Sequence, residues 1–316
     1  MCTGVRFSDN KGNMYFGRNL DWSEGYGQKV VATPRKYHYT AAFLGEMPVK
    51  YALIGMAIVI DNVPLYFDCG NEAGLAIAGL NFPGYAQYEK APVDGKTNVA
   101  AYEFPFWVVM NFSSVDEAEK ALKDVAIVDK PFNENTPSSM LHWIIGDGKK
   151  SIVVEYTPNG MEIFQNNVDV LTNQPGYAWH QENLRNYMNL NSLMPTSVKW
   201  DKAELKAFGS GSFMRGLPGD YYSPSRFVRV SYLNANYPTQ DNEDDNVSRL
   251  FHTLTGVAMI DGAAAMADGK FEKTVYTSCY SAATKTYYYN TYEDPGIQKV
   301  ALDDCKPDGS ELVVKG

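Results

Sequence analysis

The residue best placed to do chemistry is Cys2, which becomes the amino-terminal residue if Met1 is removed. A small second residue favours that removal, and it would expose an amine and a thiol on one residue. A thiol is a strong nucleophile only as thiolate, with a reference pKa of roughly 8.5. An α-amino group titrates at about 7.7–8.0, so near neutral pH it is partly free to take the thiol proton. Nucleophile and base then share one residue, and no histidine is required. The segment that follows reads as an ordered strand, which argues against a frayed terminal cysteine of no consequence.

The run GRNLDW adds Arg18 and Asp21. With Lys11-Gly12 as a two-residue turn, paired positions sum to 23 and Asp21 lies opposite Cys2. Asp21 would then hold the amine, as a base-orienting carboxylate does. Arg18 would favour the thiolate and meet an anionic substrate. The two differ by three positions, so a regular strand turns them to opposite faces. Both address Cys2 only if a bulge or a strand end intervenes. Taken alone, such a pair reads as an ordinary surface ion pair.

Competing chemistries find little support. His38, His142, His180 and His252 show no paired spacing such as HExxH, so each reads as structural or surface and no metal site is expected. Gly95-Lys96-Thr97 and Gly146–Ser151 lack the first glycine of a phosphate loop. Gly209–Ser212 lacks the G-x-S-x-G spacing of a serine elbow. The formal net charge is −9, with no Lys/Arg run, which excludes a nucleic-acid partner. Cys69 and Cys279 sit in apolar contexts and read as inert buried thiols, whereas Cys305, in a polar tail, reads as exposed.

These residues need a scaffold, and its signals are mostly β. The 22 Tyr and 15 Phe suit half-buried strands. CTGVRFS and MYFGRNL flank the turn chemistry of Asn10–Asn13, and KTVYTSCYS and KTYYYNTY form a second hairpin. YALIGMAIVI, GLAIAGL, SIVVEY and VDVLT are further strands. Helices are expected after Ser114, with Glu117 completing a capping box, and near WHQENLRNYM. Two more are expected from Ser223-Pro224 and across NVSRLFHTLTGVAM. Without a Pro/Ser-rich linker the chain reads as one α+β domain over 1–316, with mostly antiparallel sheets. No export signal and no apolar run of membrane-spanning length is present, so a cytoplasmic protein without disulfides is expected.

At this point MCTGVRF, FGRNLDW, GLAIAGLNFPGYA, VLTNQPGY and SPSRFVR, in that order, resemble the cholylglycine hydrolase family. That family contains bile salt hydrolases and penicillin V acylases, and the likeness spans nearly the whole chain. It implies an N-terminal nucleophile hydrolase fold: an αββα sandwich of two antiparallel sheets between helical layers, commonly a homotetramer. It makes Cys2 the nucleophile and puts Arg18 and Asp21 in the catalytic cluster. Asn81 of GLNFPG and Asn173 of LTNQP would build the oxyanion site, and Arg226 of SPSRF completes the constellation. Both asparagines fall at strand ends, where functional groups are common, though asparagine's most frequent job there is shaping turns. Arg226 falls in the first turn of a helix, where a cation opposes the macrodipole. A buried carboxylate such as Asp21, or substrate, would compensate it.

The resemblance implies amide hydrolysis without a metal or organic cofactor. Bile salt members typically carry Asn in the GLN motif where penicillin acylases tend to have Tyr. Asn81 therefore leans toward glycine- or taurine-conjugated bile salts. Penicillin V or another N-acyl amide is the alternative, and a non-catalytic ligand-binding relative a lesser one. Leu20, Trp22 and Tyr26, beside the catalytic residues, are the expected apolar wall for a steroid, with core packing an equal explanation for Leu20.

Overall fold

The computed structural model describes residues Met1–Gly316. Two antiparallel sheets lie face to face. The first, of seven strands, runs in the order Val170–Leu171, Cys2–Ser8, Met14–Trp22, Phe271–Ser281, Thr286–Thr291 and Gln298–Ala301. Ala264–Ala265 pairs beside Phe271–Ser281 as its seventh strand. The second, of eight strands, runs Gly160–Gln165, Ser151–Thr157, Leu141–Gly146, Ala76–Asn81, Val63–Asn71, Leu53–Ile60, Lys29–Thr33 and Val313–Lys315.

Helices α4 (Ser223–Asn236) and α5 (Glu243–Thr255) pack on the outer face of the first sheet. Helix α1 (Phe104–Asn111) packs on Val63–Asn71 and Ala76–Asn81 of the second, and α2 (Val115–Leu122) shares its apolar cluster. Helix α3 (Tyr177–Asn183) joins α4 and continues as a 3₁₀ turn, Leu184–Tyr187. The result is the αββα sandwich, with each sheet burying both faces. That double burial is why Tyr and Phe fill the strands: Tyr276, Tyr280 and Tyr287 are all enclosed in the interior.

The faces of the first hairpin can be read from its contacts. Even positions of Cys2–Ser8 point to the second sheet: a β-carbon on Gly4 would lie 3.1 Å from Ile144 Cγ2. Odd positions point to the helices. Gly17 is an extreme case, since a β-carbon there would sit 1.9 Å from the Ser278 carbonyl oxygen and 2.8 Å from Leu250 Cδ2 of α5. Only glycine fits that approach of helix to sheet.

Four expectations are corrected. The first turn is not a two-residue one: Ser8 pairs with Met14 and Cys2 with Leu20, leaving the five-residue loop Asp9–Asn13. The Asp9 carboxylate closes it, accepting from Lys11 N–H at 2.8 Å and Asn13 N–H at 2.9 Å. This local aspartate turn shifts the register by one, which moves a strand's side chains to the other face. Asp21 therefore lies opposite Met1, not Cys2, and exchanges backbone hydrogen bonds with it. Cys305 is 1% exposed rather than open to solvent. Helix α1 gave no periodic signal because all eight of its residues are buried, so it has no polar stripe. The Ser114 cap does accept from Glu117 N–H, but the Glu117 carboxylate returns to Ser113 N–H rather than closing the box on Ser114.

Candidate active site

Cys2 is the first residue of its strand and is 4% exposed. Its side chain points between the sheets, on the same face as Arg18 and Leu20. Arg18, fully enclosed, places Nη2 2.6 Å from Cys2 Sγ. Its Nη1 donates to the carbonyl oxygens of Gly79 at 2.6 Å and Phe67 at 3.2 Å, so the second sheet holds the guanidinium in place. No carboxylate lies within ion-pairing distance of it. Burial works against its charge, yet Cys2, Tyr276, Asp68 and Asp21 together hold its pKa above the ordinary arginine value.

Asp68 is a residue the sequence reading passed over. It sits inside the apolar run LYFDCGN and is 2% exposed. Tyr276 and Tyr287 hydroxyls donate to its carboxylate at 2.5 and 2.6 Å, and Ser278 at 2.9 Å. Burial raises its pKa while Arg18 and these three hydroxyls oppose the rise. An aspartate in an otherwise apolar strand was the available signal, because a buried carboxyl must find donors or a cation.

The other face of Cys2 is built differently. Its backbone N–H donates to Asn173 Oδ1 at 2.8 Å. Arg226, fully buried in the first turn of α4, donates from Nη2 to the same Oδ1 at 2.7 Å. Its Nη1 donates to Cys2 O at 2.5 Å and Thr3 Oγ1 at 2.6 Å, and its Nε to Tyr221 O at 2.8 Å. Arg226 makes no ion pair with Asp21, and all four acceptors are neutral. Burial lowers its pKa, and Asp21 and Cys2 oppose that at longer range. Asp21 is 1% exposed; its Oδ1 accepts from Thr274 Oγ1 at 2.7 Å, and its Oδ2 has no partner within the protein.

The conflict over Arg18 and Asp21 is thereby resolved. They do lie on opposite faces: Arg18 meets the Cys2 sulfur, whereas Asp21 bonds the backbone of Met1, the residue before Cys2. The register does break beside them, where Thr274 pairs with Asp21 and Tyr276 with Leu20, leaving Val275 as a bulge.

Asn81 and Asn173 are brought close, but to unequal positions. Asn173 Nδ2 donates to Asn81 O at 2.7 Å. The side-chain amide of Asn81 is half-buried, has no partner in the protein and lines the cavity over Cys2. Asn173 stands behind Cys2 and is not part of that wall. The cavity measures about 410 Å³ and is lined by Cys2, Arg18 and Asp21 at one end. Leu20, Trp22 and Tyr26 all line it; Trp22 stacks on Tyr26 and Tyr26 packs at a tilt against Phe67, with ring centroids 6.5 and 5.4 Å apart. Its far wall, from Tyr102, Pro105 and the 135–139 loop, carried no sequence signal, because that loop is tied down in part by a residue remote in sequence, Tyr88, whose hydroxyl donates to Ser139 O.

A buried thiol beside an unpaired guanidinium, at the first strand of an αββα sandwich, defines the class of N-terminal nucleophile hydrolases. The chain belongs to the linear amide C–N hydrolases, choloylglycine hydrolase family, which it matches over residues 2–315. A bile salt hydrolase/transferase from Bifidobacterium longum subsp. longum is 56% identical over 314 residues, 99% of both chains. The solved structure of a C2A mutant of conjugated bile acid hydrolase from Clostridium perfringens superposes with a TM-score of 0.94. It is 39% identical and covers 100% of this chain and 97% of that one. A penicillin V acylase from Agrobacterium tumefaciens, 18% identical with a TM-score of 0.77 over 98% and 90% of the two chains, shares the fold.

Proposed function

We propose that the protein hydrolyses the amide bond of glycine- or taurine-conjugated bile salts, with Cys2 as nucleophile after Met1 is removed. The observation that carries the proposal is the Cys2 sulfur, 2.6 Å from Arg18 Nη2 at the end of an apolar cavity. Relatives that act on bile salts, similar along their whole length, support the substrate class.

The steps follow from the chain's own groups. The steroid lies against Leu20, Trp22 and Tyr26, with its amide carbonyl over Cys2. The thiolate, stabilised by Arg18, attacks the carbonyl carbon and the C=O π pair moves onto oxygen. Asn81, whose free amide faces the cavity, donates to that oxyanion, assisted from the Asn173 side. The Cys2 α-amine, having taken the thiol proton, passes it to the departing nitrogen as the C–N bond breaks. Free glycine or taurine leaves a thioester on Cys2. A water attacks the thioester, the amine takes its proton, and collapse returns bile acid and thiol. Asn173 Oδ1 holds the amine throughout, Asp21 Oδ2 is the nearby acceptor for its charged form, and Arg226 locks Asn173 and the Cys2 carbonyl. None of these steps calls on a cofactor.

The whole chain 1–316 acts as one catalytic domain in this reading, in the cytoplasm, where its four buried free cysteines stay reduced. We place it in a homotetramer. Between α3 and α4 the chain exposes large apolar side chains, among them Met188 at 84% and Trp200 at 72%, which further copies would cover. Light scattering on the purified protein tests that state, and a monomer would refute it.

The deciding assay is release of free glycine or taurine from conjugated bile salts, run beside penicillin V. Faster turnover of penicillin V would overturn the substrate assignment. An intact mass that retains Met1 in active enzyme would overturn the amine's role.

A further inference from the structure

Two buried histidines have no part in the steps above. His142 and His180 are both 0% exposed. His142, on the Leu141–Gly146 strand, donates from Nε2 to Thr172 O at 2.8 Å. Its Nδ1 lies 3.1 Å from Glu155 Oε1, and that same oxygen accepts from Tyr177 N–H at 2.9 Å. His180, on α3, donates from Nε2 to Asn173 O at 3.0 Å. A carbonyl oxygen can only accept, so each Nε2 carries hydrogen. His180 Nδ1 has no partner, which leaves that ring neutral, and burial holds its pKa down to about 4.

The two carbonyls so engaged are consecutive. They come just after the strand Val170–Leu171 ends, where the paired ladder with Cys2–Ser8 stops and Cys2 N–H turns to the Asn173 side chain. Buried carbonyls must find donors elsewhere, and here imidazoles supply them. The rings are themselves fixed. His142 stacks on Phe82 at 4.1 Å, adjacent to Asn81, and His180 stacks on Phe227 at 4.5 Å, adjacent to Arg226. Glu155 ties α3 to the sheet, and a β-carbon on Gly176 would come within 3.1 Å of its Oε2. The Leu141–Gly146 strand and α3 thus converge through their histidines on one dipeptide, Thr172-Asn173.

We propose that His180 and His142 are positioning residues for the reaction, pinning the Thr172 and Asn173 carbonyls so that Asn173 Oδ1 is aimed at the Cys2 nitrogen. Neither ring touches substrate. His142 acts through the Thr172 carbonyl and His180 through the Asn173 carbonyl, and the inference rests on the proposed role of the Asn173 side chain in holding the amine. A displacement of about 1 Å at such a point costs up to a hundredfold in rate.

The test compares His180→Phe, which keeps the stack on Phe227 but loses the donor, with His180→Gln, which restores an N–H near the Nε2 position. Glycine release from a conjugated bile salt gives kcat and KM, and thermal melting reports the fold. His180→Phe should lose ten- to a hundredfold in kcat with KM within twofold, and His180→Gln should recover most of it. Unchanged kcat in folded His180→Phe, equal losses in both variants, or a loss confined to KM would each overturn the proposal. If His180→Phe does not fold, His142→Phe and His142→Gln read the Thr172 side under the same criteria. Asn173→Ala separates the two readings. Full activity there refutes the role of Asn173 itself, whereas an inactive Asn173→Ala beside a fully active His180→Phe refutes only the pinning.

Discussion

Replacing Asn81 by alanine isolates one catalytic contribution from the fold. The Asn81 side-chain amide lines the cavity and makes no hydrogen bond inside the protein. Its backbone does the structural work, accepting from Asn173 Nδ2 and pairing with Leu141, and alanine keeps both. Stability should therefore change by no more than about 0.5 kcal/mol, the range of substitutions that break no buried contact. For a chain of this size that moves the melting temperature by roughly 2 °C or less. Loss of one oxyanion donor costs about 3 kcal/mol in the transition state. At about 1.36 kcal/mol per decade, kcat should fall roughly 160-fold with KM nearly unchanged. Glycine release under saturating conjugated bile salt measures this. Asn173→Ala supplies the contrast: it strips partners from the buried Cys2 N–H and Arg226 Nη2 and from the half-buried Asn81 O. That variant should lose roughly 3–6 kcal/mol of stability besides activity. A fall in kcat of less than fivefold for Asn81→Ala, or a melting loss like that of Asn173→Ala, would refute the assignment.

Cys2→Ser should fold normally and lose most activity, because the hydroxyl is a far weaker nucleophile under the same amine; retained activity in Cys2→Ala would end the mechanism. Arg226→Met removes the guanidinium donors to Cys2 O and Thr3 Oγ1 in a closed interior and leaves Asn173 Oδ1 with Cys2 N–H alone, so denaturant titration should show a loss of roughly 3–5 kcal/mol. Tyr26→Ala removes the middle of the Trp22–Tyr26–Phe67 wall; losing aromatic contacts of about 0.5–1.5 kcal/mol each should raise KM three- to tenfold and leave kcat in place. The pH dependence of stability carries a signature of His180. Its folded pKa is about 4 against a reference of 6.5, so between those values the unfolded chain binds the extra proton. Stability from this group is complete above pH 6.5 and falls by about 3 kcal/mol as pH drops to 4. His180→Gln should flatten that slope in acid titrations, and an unchanged slope would refute the attribution.

The chemistry of the site was legible in the sequence because it depends on residue types that few other roles explain. A cysteine behind the initiator methionine opens a strand, and Arg18 and Asp21 lie on the partner strand of its hairpin; that much follows from residue type and spacing, while which of the two shares the Cys2 face does not. Asn81 and Asn173 were legible as strand ends by their Phe82-Pro83-Gly84 and Gln174-Pro175 neighbours. Trp22 and Tyr26 could be guessed at the cavity because they adjoin the catalytic strand, and both line it.

What the sequence could not supply was register and long-range approach. Whether Asp21 faces Cys2 or Met1 turned on one carboxylate, Asp9, closing a five-residue loop. A slip of a single residue exchanges the two faces of a strand, and no local propensity detects it. Asp68 beneath Arg18, the 135–139 wall and the histidines on Thr172-Asn173 lie tens to hundreds of positions from the residues they serve. Their placement is decided only when two sheets close on each other. Sequence alone thus determined which groups could react. The packed sandwich determined that the Cys2 sulfur meets Arg18 on one face while its terminal end meets Asn173 and Arg226 on the other.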